Sequence, residues 1–145
     1  DVDLIVVSPL TRTLQTASLS FASSQPLTHV LATELCRERI AVYTSEGRAK
    51  LSELKQTWPK VDFSQMTSED DPMFHLKEND ELVAKRALEF IKWLMLRPER
   101  RIAVVSHSVF LQNMYKTYSA TLPETFFAQR QDFAGMKTVA LIPKS

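Results

Sequence analysis

Two short apolar runs stand out in the pattern of hydrophobic and polar positions along the chain. They predict strands over residues 3–8 and 102–106, and each run is rich in β-branched residues and ends in a serine. An apolar run without alternation is typical of a strand that is buried on both faces, as in a parallel sheet covered by helices. Apolar residues at helical spacing follow each run directly. The pattern therefore predicts two strand-to-helix units of an α/β protein.

The rest of the pattern predicts further helices and strands in alternation. Four helices are expected: Pro9 to about Ala22, Thr44 or Ser45 to Trp58, Asn79 to about Arg97, and Ser108 to Tyr118. Two more strands are expected, at His29–Ala32 and Thr138–Ile142. Residues 60–78 lack periodicity and are expected to form a long surface loop. The order β-α-β-α-loop-α-β-α-β predicts a three-layer α/β/α sandwich with a mostly parallel sheet.

Composition narrows the class of protein. A chain of 145 residues is expected to form one domain over residues 1–145, and its net charge of +1 argues against a nucleic-acid surface. The single cysteine, Cys36, excludes an internal disulfide and a cysteine-built zinc site, and it favours a reducing, cytoplasmic location. No apolar run approaches the roughly 18 residues of a membrane span. The only glycines, Gly47 and Gly135, exclude a glycine-rich phosphate loop.

Arg12 and His107 are the candidate functional residues of the two strand-to-helix units. Ligands of open α/β sheets bind at the carboxyl edge of the strands, where both residues are expected to lie. A guanidinium group matches two phosphate oxygens, and a histidine can donate to phosphate or transfer a proton. With helix amino termini beside them, the pair predicts an anion site best suited to phosphate. The alternatives are a surface ion pair for Arg12 and a purely structural role for His107.

Other polar residues are weaker candidates. Glu34 and Glu38 follow the predicted strand His29–Ala32, and either could act as a general acid, although loop carboxylates are usually only solvated. Ser8 and Ser106 follow strands, but no Gly-x-Ser-x-Gly elbow surrounds them, so we expect helix caps rather than nucleophiles. The remaining histidines, His29 and His75, are expected to be structural or surface residues.

Three segments resemble the motifs of a known family. Ser8–Ala17, with the sequence SPLTRTLQTA, closely resembles the SPLxRxxQTA signature of the histidine phosphatase superfamily, which has the phosphoglycerate-mutase-like fold. Glu34–Glu38 is similar to the acidic motif of that family, and Val104–Ser108 is similar to its second histidine motif. The motifs occur in the order found in the family, and the resemblance spans nearly the whole chain.

The resemblance implies a two-step reaction. A nucleophilic histidine takes the phosphoryl group, a carboxylic acid protonates the leaving group, and water then releases phosphate. By this match Arg12, Glu38 and His107 are the catalytic residues, with Glu34 as the alternative acid. Phosphate is bound by Arg12, His107 and Ser108, and neither a metal nor another cofactor is implied.

The sequence departs from the family pattern in three ways. Ser108 stands where the family usually has glycine, and Ile40–Val42 replaces the glycine expected shortly after the acid. The upstream Arg-His-Gly motif that carries the nucleophile does not occur in these residues. We therefore expect an N-terminally incomplete domain that lacks the strand carrying this motif and is inactive alone. Such a gap could be filled by self-association or by pairing with a separate N-terminal segment.

Two functions follow from these expectations. The complete protein is expected to hydrolyse a small phosphorylated substrate, as a phosphatase rather than a mutase, because the interval 39–106 is compact. The alternative is a non-catalytic phosphate-binding or interaction module, a pseudophosphatase. Neither function calls for nucleic acid or a membrane as a partner.

Overall fold

A computed structural model describes residues 2–22, 28–41, 47–117 and 135–142. Three strands and four α-helices occur in these ranges, with one 3-10 turn at Glu34–Cys36 after the second strand. In chain order they are β1 (Leu4–Val7), α1 (Thr11–Ser20), β2 (His29–Ala32), α2 (Leu51–Thr57), α3 (Asp80–Met95), β3 (Ile102–Val105) and α4 (Ser108–Thr117).

The three strands form a parallel sheet in the order β2-β1-β3. Strand β1 is central and all four of its residues are fully buried, as its uninterrupted apolar sequence predicts. Val7, the last residue of β1, lies opposite Ala32 of β2 and Val105 of β3. The three strands therefore end level with one another, and the residues that follow them emerge at one edge of the sheet.

Alternate side chains of β1 face opposite layers of helices. Leu4 and Val6 pack in a cluster with residues of α3 and α4, whereas Ile5 and Val7 pack with residues of α1 and α2. Successive side chains of a strand point to opposite faces, so a strand with four apolar residues needs cover on both sides. The three-layer α/β/α arrangement expected from the sequence is confirmed.

Helix α1 begins later than predicted, and Ser8 is not its cap. The amide of Ser8 still donates to the carbonyl of Val105 in the sheet, at 3.0 Å, and its hydroxyl contacts His107. Leu10 is the N-cap residue, without a side-chain cap, and its carbonyl accepts from the Leu14 amide at 3.1 Å. The hydroxyl of Thr13 donates to the same carbonyl. The serine is thus occupied by the sheet and by His107, and the helix starts at Thr11.

Helix α2 also begins later than predicted, at Leu51. Thr44 and Ser45, its predicted caps, lie outside the described residues, but residues 47–50 are described and are not helical. Within that stretch the backbone amide of Arg48 donates to the Asp71 carboxylate at 2.9 Å, and its side chain is bound as well. Residues 47–50 are therefore held by long-range contacts of Arg48 rather than by a helix.

The predicted strand Thr138–Ile142 is wrong. These residues have no regular secondary structure, and Ile142 is 82% exposed. The β-branched sequence fits a strand, but a strand exists only where its backbone groups pair with a neighbour. The three-stranded sheet of the described residues does not include this segment.

The remaining element predictions are confirmed with small shifts at the ends. Asn79 caps α3, because its side-chain oxygen accepts from the Leu82 amide at 2.9 Å. Residues 60–78 contain neither a helix nor a strand, only an isolated bridge between Leu31 and Asp62. Helix α4 is described to Thr117, and its predicted last residue, Tyr118, lies outside the described residues. None of the described helices has the length and apolar content needed to cross a membrane.

Phe90 provides a test of the helix layer formed by α3 and α4. It is fully buried, and its ring meets that of Phe110 edge to face at a centroid distance of 5.7 Å. We expect Phe90→Ala to lower the free energy of unfolding by about 3–5 kcal/mol through lost burial and a cavity. Leu96→Ala, at a position that is 85% exposed, should change it by less than about 0.5 kcal/mol. Urea unfolding followed by circular dichroism measures both, and equal effects would contradict the packing described.

Candidate active site

Arg12 and His107 meet at the carboxyl edge of the sheet. Arg12 lies in the first turn of α1, after the central strand, and His107 lies between β3 and α4. The Nε of Arg12 donates to Nδ1 of His107 over 3.2 Å, across 95 residues of sequence. His107 is buried, with 7% of its surface exposed. The structure therefore brings together the two residues that the strand-to-helix units predict at one site.

The hydrogen bonds of His107 define its tautomer. An arginine only donates, so Nδ1 of His107, which accepts from Arg12, carries no hydrogen. Burial, together with the positive charges of Arg12, Arg37 and Arg86, lowers the pKa of His107 to about 3. The neutral ring must therefore carry its hydrogen on Nε2, which lies 2.8 Å from the hydroxyl oxygen of Ser8. His107 is thus fixed as a donor to Ser8.

This tautomer argues against Ser8 as a nucleophile. An adjacent base would have to accept the serine proton, but Nε2 of His107 already holds one. Ser106, the other serine considered, donates to the carbonyl of Cys36 at 2.7 Å. Ser106 therefore ties the end of β3 to the 3-10 turn, and neither serine is the helix cap that the sequence predicted.

Glu38 lies at the amino terminus of α4, next to the His107 segment. Its carboxylate accepts from the Phe110 amide at 3.0 Å and from the Val109 amide at 3.4 Å. The first amides of a helix have no partner within the helix, so they present donors to an anion. Ser108 opens the same turn and is half-buried. The structure therefore gathers Arg12, His107, Ser108 and Glu38 around the start of α4.

The carboxylate of Glu34 binds two buried arginines instead of the start of α4. Its two carboxylate oxygens accept from Arg48 Nε at 2.6 Å and from Arg37 Nη1 at 3.0 Å. Arg37 also forms a bidentate pair with Asp71, at 2.6 and 2.8 Å. Both guanidinium groups are fully buried. The carboxylate of Glu34 thus serves to neutralise these arginines, whereas that of Glu38 lies at the start of α4.

The same cluster fixes the protonation of Asp71. Burial alone would raise its pKa, but hydrogen bonds from Arg37 and from the amides of Arg48 and Met73 outweigh that effect and lower it below the usual 3.8. Burial acts differently on Cys36 in the neighbouring 3-10 turn, where it raises the thiol pKa to about 12. Asp71 is therefore held ionised, and the Cys36 thiol is held protonated.

Sequence reasoning missed the arginines that build the surroundings of the site. Arg37, Arg48 and Arg86 are all buried, although arginine is seldom buried without partners. The spacing of Glu34 and Arg37 allows a local pair, whereas the contacts of Arg48 and Arg86 join distant segments and leave no local signal. His29 pairs with Asp62 at 3.0 Å at the opposite end of β2, and His75 is exposed, as expected. Among the described residues, no group of three or more His, Cys, Asp or Glu side chains is arranged to hold a metal ion.

Comparisons with known proteins agree with the motif resemblance. The family model described as "Histidine phosphatase superfamily (branch 1)" matches residues 1–143. A "Phosphoglycerate mutase-like protein" of Arabidopsis thaliana is 34% identical over 145 residues, covering 81% of this chain and 54% of the relative. "Phosphoglycerate mutase-like protein 1" of the same plant is 33% identical over 138 residues, covering 76% and 49%. The chain thus spans about half the length of the curated relatives it matches.

The protonation of His107 can be tested by NMR. With a pKa of about 3, its ring should stay neutral, with hydrogen on Nε2, from pH 8 down to about pH 5. Nitrogen-15 spectra of the imidazoles report both properties, with the surface residues His29 and His75 as references in the same sample. Because the folded pKa lies below the ordinary 6.5, this histidine should also make stability fall as the pH drops from 6.5 toward 3. Protonation of His107 near pH 6 would contradict the assignment.

Asp71→Asn tests the buried charge cluster. Its carboxylate is 6% exposed and paired with the buried Arg37, so we expect a loss of about 3 kcal/mol at pH 7. Since the folded pKa is lowered, the stabilisation is present above the ordinary value of 3.8 and is lost as the pH falls through the folded pKa. The difference between the two proteins should therefore shrink below pH 4. Urea unfolding across this range measures it.

The matched control for this test is Asp70→Asn. Asp70 is the neighbouring carboxylate, but it is 81% exposed and lies 3.9 Å from Lys50. A surface pair of this kind contributes at most about 1 kcal/mol. An equal loss in the two variants would show that the Arg37–Asp71 pair has no special role.

Proposed function

Because this chain belongs to the histidine phosphatase superfamily, we propose that the complete protein hydrolyses a small phosphomonoester through a phosphohistidine intermediate. The observation that carries the proposal is the contact between Arg12, a cation, and the uncharged His107 that accepts from it, at the ends of two buried strands. Both lie in the motifs that resemble the family signature. The nucleophilic histidine would be supplied by a segment beyond the described residues.

The chain's own residues have distinct parts in the proposed reaction. Arg12, His107 and Ser108 bind the phosphoryl oxygens, with the Nε2 hydrogen of His107 turning from the Ser8 hydroxyl to a phosphoryl oxygen. These donors stabilise the negative charge that spreads over the oxygens in the transition state. The nucleophilic nitrogen attacks phosphorus while the ester P–O bond breaks, and Glu38 gives its proton to the leaving oxygen. Water then attacks phosphorus, the P–N bond breaks, and Glu38 takes the proton of that water. The products are an alcohol and inorganic phosphate.

The position of His107 suits binding rather than attack. Its one basic lone pair, on Nδ1, accepts from Arg12, and Nε2 carries a hydrogen donated to Ser8, so no lone pair is available to attack phosphorus. The same observation favours the second candidate function, a phosphate-binding module without turnover, for any form of the protein that lacks a further histidine at this site. The two candidates differ only in the nucleophile.

Phosphoenzyme trapping tests the choice between them. The complete natural protein that contains these residues is mixed with a generic aryl phosphate, quenched, and analysed for phosphohistidine by mass spectrometry. We expect a phosphohistidine in the complete protein and none in the 145-residue chain. A phosphoenzyme in the short chain would refute the assignment of the nucleophile, and its absence from the complete protein would leave only the binding module.

Arg12→Met tests the phosphate site directly. The loss of a charge-assisted hydrogen bond should weaken the binding of inorganic phosphate by about tenfold or more. Titration calorimetry of the 145-residue chain measures the Kd. Lys55→Met removes one positive charge from an exposed position on α2 and should leave the Kd unchanged. Equal Kd values for all three proteins would contradict a role for Arg12 in phosphate binding.

A further inference from the structure

The segment that carries Glu38 needs partners from outside itself. From Arg37 to Ala41 the backbone forms neither a helix nor a strand, yet Arg37 and Ile40 are buried. Buried carbonyl and amide groups must find hydrogen-bond partners, which regular structure does not supply here. The position of the Glu38 carboxylate therefore depends on whatever side chains hold this stretch.

Arg86 of α3 supplies several of these partners. Its Nη1 donates to the carbonyls of Arg37, at 2.8 Å, and Leu35, at 3.1 Å. Its Nη2 donates to the carbonyl of Glu38 at 3.3 Å. Only 8% of Arg86 is exposed. One guanidinium group thus binds three carbonyl groups of the backbone around the candidate acid.

Glu78 completes the arrangement from the other side. It forms a bidentate pair with Arg86, at 2.8 and 2.7 Å, which neutralises the buried guanidinium. The same carboxylate accepts from the Ile40 amide at 3.0 Å, and the Glu78 amide donates to the Ile40 carbonyl at 2.8 Å. Arg86 and Glu78 therefore hold the segment before and after Glu38.

Arg86 also contacts the element that receives the Glu38 carboxylate. Its guanidinium lies over the ring of Phe110, 5.0 Å from the centroid, and the Phe110 amide is the donor to Glu38 at 3.0 Å. A single side chain thus touches both the backbone of Glu38 and the residue that binds its carboxylate.

We propose that Arg86, paired with Glu78, is a positioning residue that holds Glu38 at the amino terminus of α4 beside His107. The effect of Arg86 on catalysis rests on the proposed function, in which Glu38 is the general acid. The effect of Arg86 on the position of the Glu38 carboxylate is independent of that function. The two parts are tested separately.

Arg97 offers a matched control. It forms a bidentate pair with Glu99, at 2.9 and 2.6 Å, and lies over the ring of Trp93 at 5.4 Å. It therefore reproduces the ion pair and the cation–π contact of Arg86, but it follows the carboxyl end of α3. Arg97→Met removes the same kinds of interaction without touching the segment that carries Glu38.

Amide hydrogen exchange of the 145-residue chain tests the position of the carboxylate. The Phe110 amide lies in the first turn of α4 and is protected by Glu38, so Arg86→Met should speed its exchange about tenfold or more. Arg97→Met should not, and amides of β1 serve as the internal measure of global unfolding. If Arg86→Met does not fold, Arg86→Lys, which keeps the charge but not the planar set of donors, takes its place. Equal exchange at Phe110 in the Arg86 and Arg97 variants would overturn the proposal.

The leaving group tests the catalytic part in the complete protein. Phenyl phosphate needs a proton on its departing oxygen, whereas 2,4-dinitrophenyl phosphate does not. We expect Arg86→Met to lower kcat on phenyl phosphate by about a hundredfold, with a much smaller loss on the dinitrophenyl ester. In a Glu38→Gln background the same substitution should have little further effect on phenyl phosphate, because Arg86 acts through Glu38.

The outcomes separate the two proposals. Equal losses on both esters, or full additivity with Glu38→Gln, would show a merely structural Arg86 and overturn the catalytic part of the inference while the proposed function stands. No turnover and no phosphohistidine in the unsubstituted complete protein would overturn the proposed function. In that case the exchange at Phe110 alone decides whether Arg86 positions Glu38.

Discussion

The burial of one short strand underlies everything else in this structure. Strand β1 has neighbours on both sides in the sheet and helices over both faces, so none of its side chains reaches water. Its parallel register places the ends of all three strands level. Consequently, residues that are distant in the sequence leave the sheet at the same edge, and the contact between Arg12 and His107 becomes possible. The chemistry of the site is thus a consequence of an apolar packing requirement.

Buried arginines supply the hydrogen bonds to backbone carbonyls that regular secondary structure supplies elsewhere. The stretch around Glu38 and the loop before α3 lack strands and helices, and Arg48 and Arg86 bind their carbonyl groups instead. Glu34, Asp71 and Glu78 neutralise the buried guanidinium groups. Replacing such pairs by apolar residues is often neutral for stability, so they are best explained by the conformation they specify. Here that conformation places a carboxylate at a helix terminus.

The strand-to-helix units were predictable from the sequence because their signals are local. An apolar run fixes β1, the side chain of Asn79 marks the start of α3, and motif positions identify Arg12 and His107. Features set by distant contacts were not predictable. Ser8 has the sequence context of a helix cap but binds His107. Helix α2 begins later than predicted because Arg48 binds a loop more than twenty residues away in the sequence. Residues 138–142 have the composition of a strand, but pairing, which composition does not encode, decides the outcome.

The fixed tautomer of His107 sets the direction of the hydrogen bonds at the site. Arg12 donates to His107 and His107 donates to Ser8, so the chain of hydrogen bonds runs in one direction only. Reversing it would require a hydrogen on Nδ1, facing a guanidinium that cannot accept one. The chain therefore ends at Ser8, whose hydroxyl accepts from His107 and keeps one hydrogen to donate. A group that only accepts hydrogen bonds, such as a fully ionised phosphate, complements the hydrogens that such a chain presents.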